Sequence, residues 1–426
     1  MPHQVAVTIR ATVAPARVSA LREWLVEASH KGMAETPFDF AHVRGLHFAK
    51  FFLLDDVADL DGTPIPASLV FMSEVDGSVR KHLAELVDVA GDGIDQAFGH
   101  CAGYPAAGRW RGRRARIGWL RRHLVRSGVS YVNTVGRGLE QIRQEARLRE
   151  TVQDYLDRPG QDWSGSTPTE VRAAIQAYVA GRPDLGWAMK PPPRPSLLWR
   201  AREAVHLVAV PAALALLLPV LLPVAAVYAV LLRLAELRVG PMTQRPTLEH
   251  LREVASFEDF GPQNPFAVVG FLKPGWLPRT TVRAVLFLTD YAVRHVYTHG
   301  SLAGIKTIHF ARWVPLDGWR RVAFATSYDG AVEAYNDDFI ETVWWGLNAT
   351  FGNAADYPRT RWLFWGGAKY EQEFKYALRR AQVPVPAWYS AYPTLTAINI
   401  ENNAQIRAGL SGDMSPAEAE RWLSLL

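Results

Sequence analysis

The sequence predicts an α+β protein. Two ferredoxin-like β-α-β-β-α-β repeats pair into an α+β barrel, with a hydrophobic membrane hairpin inserted between them. Three observations carry this expectation. Short motifs recur in the same order in both halves, each half repeats one succession of strand and helix patterns, and a charge-free run, Ala204–Leu232, separates the halves.

The recurrence begins with Leu46-His47-Phe48-Ala49-Lys50, answered by Ile308-His309-Phe310-Ala311-Arg312. Ser73-Glu74-Val75-Asp76-Gly77 is answered by Thr326-Ser327-Tyr328-Asp329-Gly330. Phe98-Gly99-His100 with Tyr104-Pro105 is answered by Phe351-Gly352-Asn353 with Tyr357-Pro358. The offset is constant from the Asp-Gly pair to the Tyr-Pro pair and slips only in loops. Arg121-Arg122 and Tyr131 match Arg379-Arg380 and Tyr389 at a further constant offset. Ordered anchors with slips confined to loops are the signature of duplication.

Each copy yields the same elements. In the first, Val5–Val13 alternates as a strand, and Ala14-Pro15 opens a helix to about Lys31 with Val18, Leu21, Trp24 and Leu25 on one face. His47–Leu54 and Ser68–Ser73 read as strands, Gly77–Ala97 as a helix and Val129–Val135 as a last strand. In the second, the order is strand Phe266–Leu272, helix Thr280–Thr298, strands Thr307–Pro315 and Val322–Thr326, helix Ala331–Thr350 and strand Ala387–Tyr392. The expected organisation is repeat one at 1–157, a linker at 158–203, a hydrophobic segment at 204–238, repeat two at 239–410 and a C-terminal helix at 411–426.

The linker carries a helix-start signature, Ser166-Thr167-Pro168 followed by Glu170, and a polyproline stretch, Pro191-Pro192-Pro193. The hydrophobic segment is long enough to cross a bilayer once. Arginines flank it on both sides (Arg200, Arg202, Arg233, Arg238), and Pro211, Pro219 and Pro223 interrupt it. A crossing would put the two copies on opposite sides of the membrane. A hairpin that dips into one leaflet and returns keeps them together and fits basic flanks at both ends. A buried core hairpin is the third reading.

Composition narrows the classes. The single cysteine, Cys101, excludes internal disulfides, cysteine-ligated clusters and Cys-type zinc sites. The opening stretch MPHQVAVTIRATV has no basic region followed by an apolar one, which leaves cytoplasmic residence as the expectation. The formal charge is +5, and the basic run Gly108–Arg126 concentrates eight arginines with Trp110 and Trp119. Such a run, from Arg109 to Arg126, suits an anionic membrane surface or a solvated helix face. No nucleic-acid motif accompanies it.

Chemistry is expected in the second copy, which is richer in tryptophan (Trp313, Trp319, Trp344, Trp345, Trp362, Trp365, Trp388). His299-Gly300 ends a helix and Arg312 follows thirteen residues later in a strand. This order, with the acidic turn Leu316-Asp317-Gly318, resembles the heme-binding half of chlorite dismutase and HemQ-like proteins. Those proteins, like the dye-decolorizing peroxidases, are duplicated barrels that bind heme in the C-terminal copy. The resemblance covers roughly forty residues. It implies heme b, with His299 as proximal iron ligand beside Gly300, and Arg312 as the distal catalytic arginine. Asp337, Asp338 and Glu341 are all open as the carboxylate behind His299. His309 is a fallback ligand, and Asp329 takes the place of the Asp-Gly aspartate of the dye-decolorizing peroxidases.

The residues also support plainer readings. His299 with Gly300 reads as a helix C-cap, and Arg312 as a strand residue facing water. His47 and His309 hold the same place in both copies and read as interior histidines; Asp76 and Asp329 read as caps. His295 lies one turn before His299, a metal-pair spacing with no third ligand evident.

The expected function is a membrane-associated, heme-dependent, peroxidase-like oxidoreductase acting on a lipophilic substrate at the cytoplasmic face of the cell membrane. The alternative is a cofactor-free, membrane-anchored barrel that binds lipid or a protein partner. Membrane lipid and a lipophilic small molecule are the expected partners, with a homo-oligomer open and no nucleic acid. A metal-free barrel oxygenase ranks last for want of a dedicated base.

Overall fold

The computed structural model describes residues 3–31, 38–108, 112–192, 195–240 and 244–426. The basic run's Arg109, Trp110 and Arg111, and Pro193 of the proline stretch, lie outside the described residues. The chain mixes helices with antiparallel sheets and carries one long apolar helix.

The first half runs β1 (Gln4–Thr12), α1 (Val18–Lys31), β2 (Leu46–Leu54), β3 (Val57–Ala58), β4 (Pro64–Ile65) and β5 (Ser68–Asp76). It continues with α2 (Val79–Val89), α3 (Gly91–Phe98), α4 (Arg113–Arg122), β6 (Val129–Val132) and α5 (Leu139–Leu156). Then come α6 (Pro168–Ala180), α7 (Leu197–Leu237) and α8 (Leu248–Ala255). The second half runs β7 (Gln263–Phe271), α9 (Trp276–His295), β8 (Ile308–Leu316), β9 (Arg321–Asp329), α10 (Val332–Phe351), β10 (Thr360–Arg361) and β11 (Trp365–Gly366). It closes with α11 (Glu371–Ala381), β12 (Ala387–Ser390), α12 (Ala397–Ala408) and α13 (Pro416–Leu423).

Two four-stranded sheets form, in the orders β1-β5-β2-β12 and β6-β8-β9-β7. The halves exchange their last strands: β12 pairs with β2, and β6 pairs with β8. Tyr389 lies opposite Ala49, and Tyr131 opposite Ala311, so the two exchanges share one register. Both sheets also break register at one place, between Leu46 and Phe48 and between Ile308 and Phe310. The residues passed over are His47 and His309.

β2 and β8 are apolar on both sides because both sides are covered. The inner faces of the two sheets meet over Phe52, Val70, Met72, Val314, Ala323 and Ala325. The outer face of the first sheet is closed by helices around Leu25, Phe38, Phe51, Phe71, Phe98 and Trp119. The outer face of the second is covered by α9 and α10 over Phe266, Leu286, Trp313, Phe324 and Tyr335.

Three expectations need correction. The helix expected over Gly77–Ala97 is two helices, broken at Ala90 (φ −104°, ψ 20°). Its counterpart α10 runs through but kinks at Val343 (φ −131°, ψ 25°), the position equivalent to Ala90. The stretch 158–203 is not merely a linker. Its α6, capped by the Thr167–Glu170 capping box, packs with α5, α12 and α13 around Leu148, Ile175, Val179, Ile406, Leu410 and Trp422.

The third correction is the hairpin. α7 is a single helix of 41 residues, roughly 60 Å long, with Pro211, Pro219 and Pro223 inside it. At about 100° per residue the prolines fall within one arc of roughly 120°, so their kinks add as a bow rather than a break. Both ends rest on the body. Tyr291 Oη donates to the carbonyl of Leu207 at 2.9 Å, and Tyr228 Oη donates to that of Leu277 at 2.8 Å. Glu236 accepts from Thr360 Oγ1 and from the backbone of Trp362 and Leu363 at 2.7–2.8 Å. Every residue from 211 to 227 between these anchors is exposed. β6 precedes α7 and β8 follows it, yet they are paired. The chain before and after the apolar helix therefore lies on one side of any membrane it meets.

Candidate functional site

The residues expected to hold heme do not converge. His299 is exposed at the end of an isolated bridge to Thr134, and its Nδ1 shares a proton with Thr298 Oγ1 at 2.7 Å. Gly300 takes φ +72°, as a cap glycine does. Asp337, one of the three carboxylates open to His299, is held by Lys375 at 2.5 Å instead.

Arg312 faces neither water nor a cavity; it is 1% exposed, between the two sheets. Its guanidinium donates to the carbonyls of Val7 (2.7 Å) and Ser73 (2.9 Å), to Thr8 Oγ1 (3.1 Å) and to Glu74. Lys50, the equivalent residue, reaches the other way. Its Nζ donates to the carbonyl of Thr326 (2.7 Å) and to Ser327 Oγ (2.9 Å). Thr326 and Ser327 answer Ser73 and Glu74 in the sequence, and the two cations reach in opposite directions within one buried layer between the sheets. Burial pushes Lys50 down to about 8; Glu74 opposes this shift and Arg312 adds to it. A guanidinium so fully engaged cannot turn to an oxyanion without leaving Glu74 buried and unpaired.

His309 and Asp329 form a second symmetric device. His309 Nε2 lies 2.7 Å from Asp329 Oδ1, and Asp329 Oδ2 accepts from the backbone of Ala397 at the start of α12. His47 Nε2 lies 3.1 Å from Asp76 Oδ1, and Asp76 Oδ2 accepts from Leu139 at the start of α5. Leu139 and Ala397 are related by the offset that relates Tyr131 to Tyr389. The interior-histidine and capping readings describe these residues, and both carboxylate oxygens are committed. The residues present therefore do not fit heme. The imidazole of His299 is exposed, the arginine is consumed by the fold, and the fallback histidine is buried against Asp329.

An apolar pocket lies elsewhere, under α9 and α10 on the outer face of the second sheet. A pocket of about 280 Å³ is lined by Leu288, Thr289 and Ala292 of α9, Trp313 and Phe324 of the sheet, and Tyr335, Phe339 and Trp345 of α10. None of the described lining residues is Asp, Glu, His, Lys or Arg. The buried indole N–H of Trp313 has no acceptor. Leu288, Trp345 and Phe364 line the pocket and are also 42–55% exposed, so they form its rim.

The equivalences explain why the hollow exists. In the first half Phe38 and Phe40 stack at 4.8 Å, and Trp119 meets Phe98 at 5.3 Å. By the offset that relates Arg121-Arg122 to Arg379-Arg380, Ala377 stands at the place of Trp119. The indole that packs on Phe98 in one half is a methyl group in the other.

Of the basic run, Arg113 is paired with Asp88 (2.5 Å) and Arg116 with Asp95 (2.5 Å), and Trp119 is core. The run is thus partly self-neutralised and offers no described tryptophan to a membrane. Exposed aromatics gather instead in the second half, at Trp276, Phe287, Trp345, Trp362, Phe364 and Trp365. Trp276 stacks edgewise on Tyr228 of α7 at 6.1 Å, and Trp362 follows the loop held by Glu236. Trp276 and Trp362 therefore lie beside the apolar helix. The sequence pointed to tryptophan enrichment in this half; what it did not reveal is which tryptophans face out.

Compared with known proteins, the chain matches no family model, no curated protein and no solved structure.

Proposed function

We propose that this chain is a monotopic membrane protein that binds a lipophilic small molecule in the pocket of its second half. The carrying observation is the rim: Leu288, Trp345 and Phe364 line the pocket and are exposed, in the half whose Trp276 and Trp362 stand beside α7. A guest dissolved in one leaflet would enter without crossing water. The 17 exposed apolar residues of 211–227 enter the leaflet, and the tryptophans beside them sit at headgroup level. Arg200, Arg202, Arg233 and Arg238 flank the inserted stretch and favour the cytoplasmic face of the cell membrane.

On this reading the architecture is a duplicated ferredoxin-like barrel with exchanged fourth strands. The likeness to chlorite dismutase and dye-decolorizing peroxidase proteins then extends to architecture and stops short of heme. An apolar lining without an acid–base pair favours binding or carriage over catalysis. The unpartnered Trp313 N–H favours a guest with one hydrogen-bond acceptor, such as a carbonyl oxygen.

Vesicle flotation tests the membrane half of the proposal. The full chain is expected to float with vesicles, and Leu216→Asp with Leu222→Asp to stay behind. Both positions are exposed, at 81% and 59%, so the fold is not at risk. Flotation unchanged by the pair would reject the insertion. A Soret band that forms on adding heme and disappears in His299→Ala would reject the guest reading in favour of the peroxidase.

A further inference from the structure

We infer that Glu203, His206 and His295 form a binding site for one divalent transition-metal ion, which fastens the start of the apolar helix to α9. The inference does not rest on the guest pocket. Glu203 and His206 stand three residues apart on α7, within the strip Trp199, Glu203, His206 and Val210 that turns toward the body. His295 closes the last turn of α9. One ligand atom from each of the three lies within 4.8 Å of the other two.

The sequence offers His295 only His299 as a metal partner, one turn away. The fold supplies His206 instead, from 89 residues earlier: its Nδ1 lies 2.8 Å from His295 Nε2. A proton bridges two imidazoles at that distance, one ring donating to the lone pair of the other. A metal takes the place of that proton. With metal–nitrogen bonds of about 2.0–2.1 Å, tetrahedral ligands stand roughly 3.3 Å apart, so the rings part by about half an ångström. Rotation of two half-exposed side chains supplies this.

The surroundings orient the ligands. The rings stack at 5.1 Å, and the Tyr291 ring lies 4.8 Å from His295 and 5.9 Å from His206. The hydroxyl of Tyr291 holds the α7 backbone at Leu207. Arg294 is the opposing charge, 3.9 Å from Glu203, but its Nε is engaged by Asp290 at 3.0 Å. Two imidazoles and one carboxylate match zinc and its neighbours in the series and leave coordination positions for water.

Cobalt(II) and zinc titrations of the full chain in detergent test the site. The expected result is one ion per chain, with visible ligand-field bands from cobalt that zinc displaces. His206→Ala and His295→Ala should each weaken binding about a hundredfold, and Glu203→Gln about tenfold. His42→Ala, on an exposed residue of the other half, should change nothing. His206 projects from a largely exposed helix, so its variant keeps the fold even if that of His295 does not. The absence of saturable binding at one ion per chain, or equal affinity in His206→Ala, would overturn the inference.

Discussion

The two halves share strand order, exchanged edge strands, a histidine at the same register break and an aspartate capping the same helix. They differ in what fills the space between sheet and helices. In the first half Phe38, Phe40, Phe51, Phe71, Phe98 and Trp119 close it. In the second, Ala377 stands at the place of Trp119, and a pocket remains. Where the halves agree, the residue serves the fold; where they differ, a site becomes possible. That rule moves interest from His309, Arg312 and Asp329 to the aromatic pocket.

The largest effects should break the shared architecture. Arg312→Ala leaves Glu74 buried without its partner and should cost about 3–5 kcal/mol, measured by denaturant unfolding. A distal catalytic arginine would instead be lost with little change in stability. Phe71→Ala empties the filled half and should cost about 3–5 kcal/mol. Phe339→Ala, on the wall of the existing hollow, should cost markedly less. Equal costs would mean that the second half is as tightly packed as the first.

The pH dependence separates the halves next. His82, bonded to Ser73 Oγ at 2.9 Å, is pushed down to about 4 by burial. The unfolded chain protonates this group near the ordinary 6.5. Stability is therefore fully present above that pH and is lost as pH falls from 6.5 toward 4, by about 3 kcal/mol. The equivalent residue, Tyr335, cannot titrate in this range. His82→Gln should flatten the acid limb of an unfolding profile, and an unchanged limb would assign it to other groups.

A smaller pair tests the symmetry itself. Asp76→Asn and Asp329→Asn should each cost about 1–3 kcal/mol, and about equally, since each loses a histidine partner and a helix cap. A catalytic Asp329 predicts a functional loss on one side only.

Much of the frame was legible. Strand edges in both halves fall within a few residues of the reading, because β2, β5, β8 and β9 carry long apolar runs. Helices α5 and α12 escaped notice although they too are equivalent. The apolar stripe of α5, Leu139, Ile142, Leu148 and Val152, is interrupted by the buried Glu145, which pairs with Arg407 of α12 at 3.1 Å. The strand exchange was invisible, since a local pattern does not say which sheet an edge strand joins. The site was misread for a related reason. Spacing put His299 near Arg312 along the chain, but Arg312 points between the sheets and His299 points to solvent. The pocket could not be read from spacing, since its lining comes from α9, the sheet, α10 and the segment around Phe364 and Phe374.

The central claim is that the second half is hollow so that it can hold a guest from the membrane. Solvent extraction of the natively purified chain, followed by mass spectrometry, tests it most directly. The account predicts one lipophilic molecule per chain, carrying a hydrogen-bond acceptor, and at least a tenfold loss of it in Ala292→Phe, which fills the pocket from α9. Equal retention in that variant, or a chain that carries no such molecule and takes none from loaded vesicles, would contradict it.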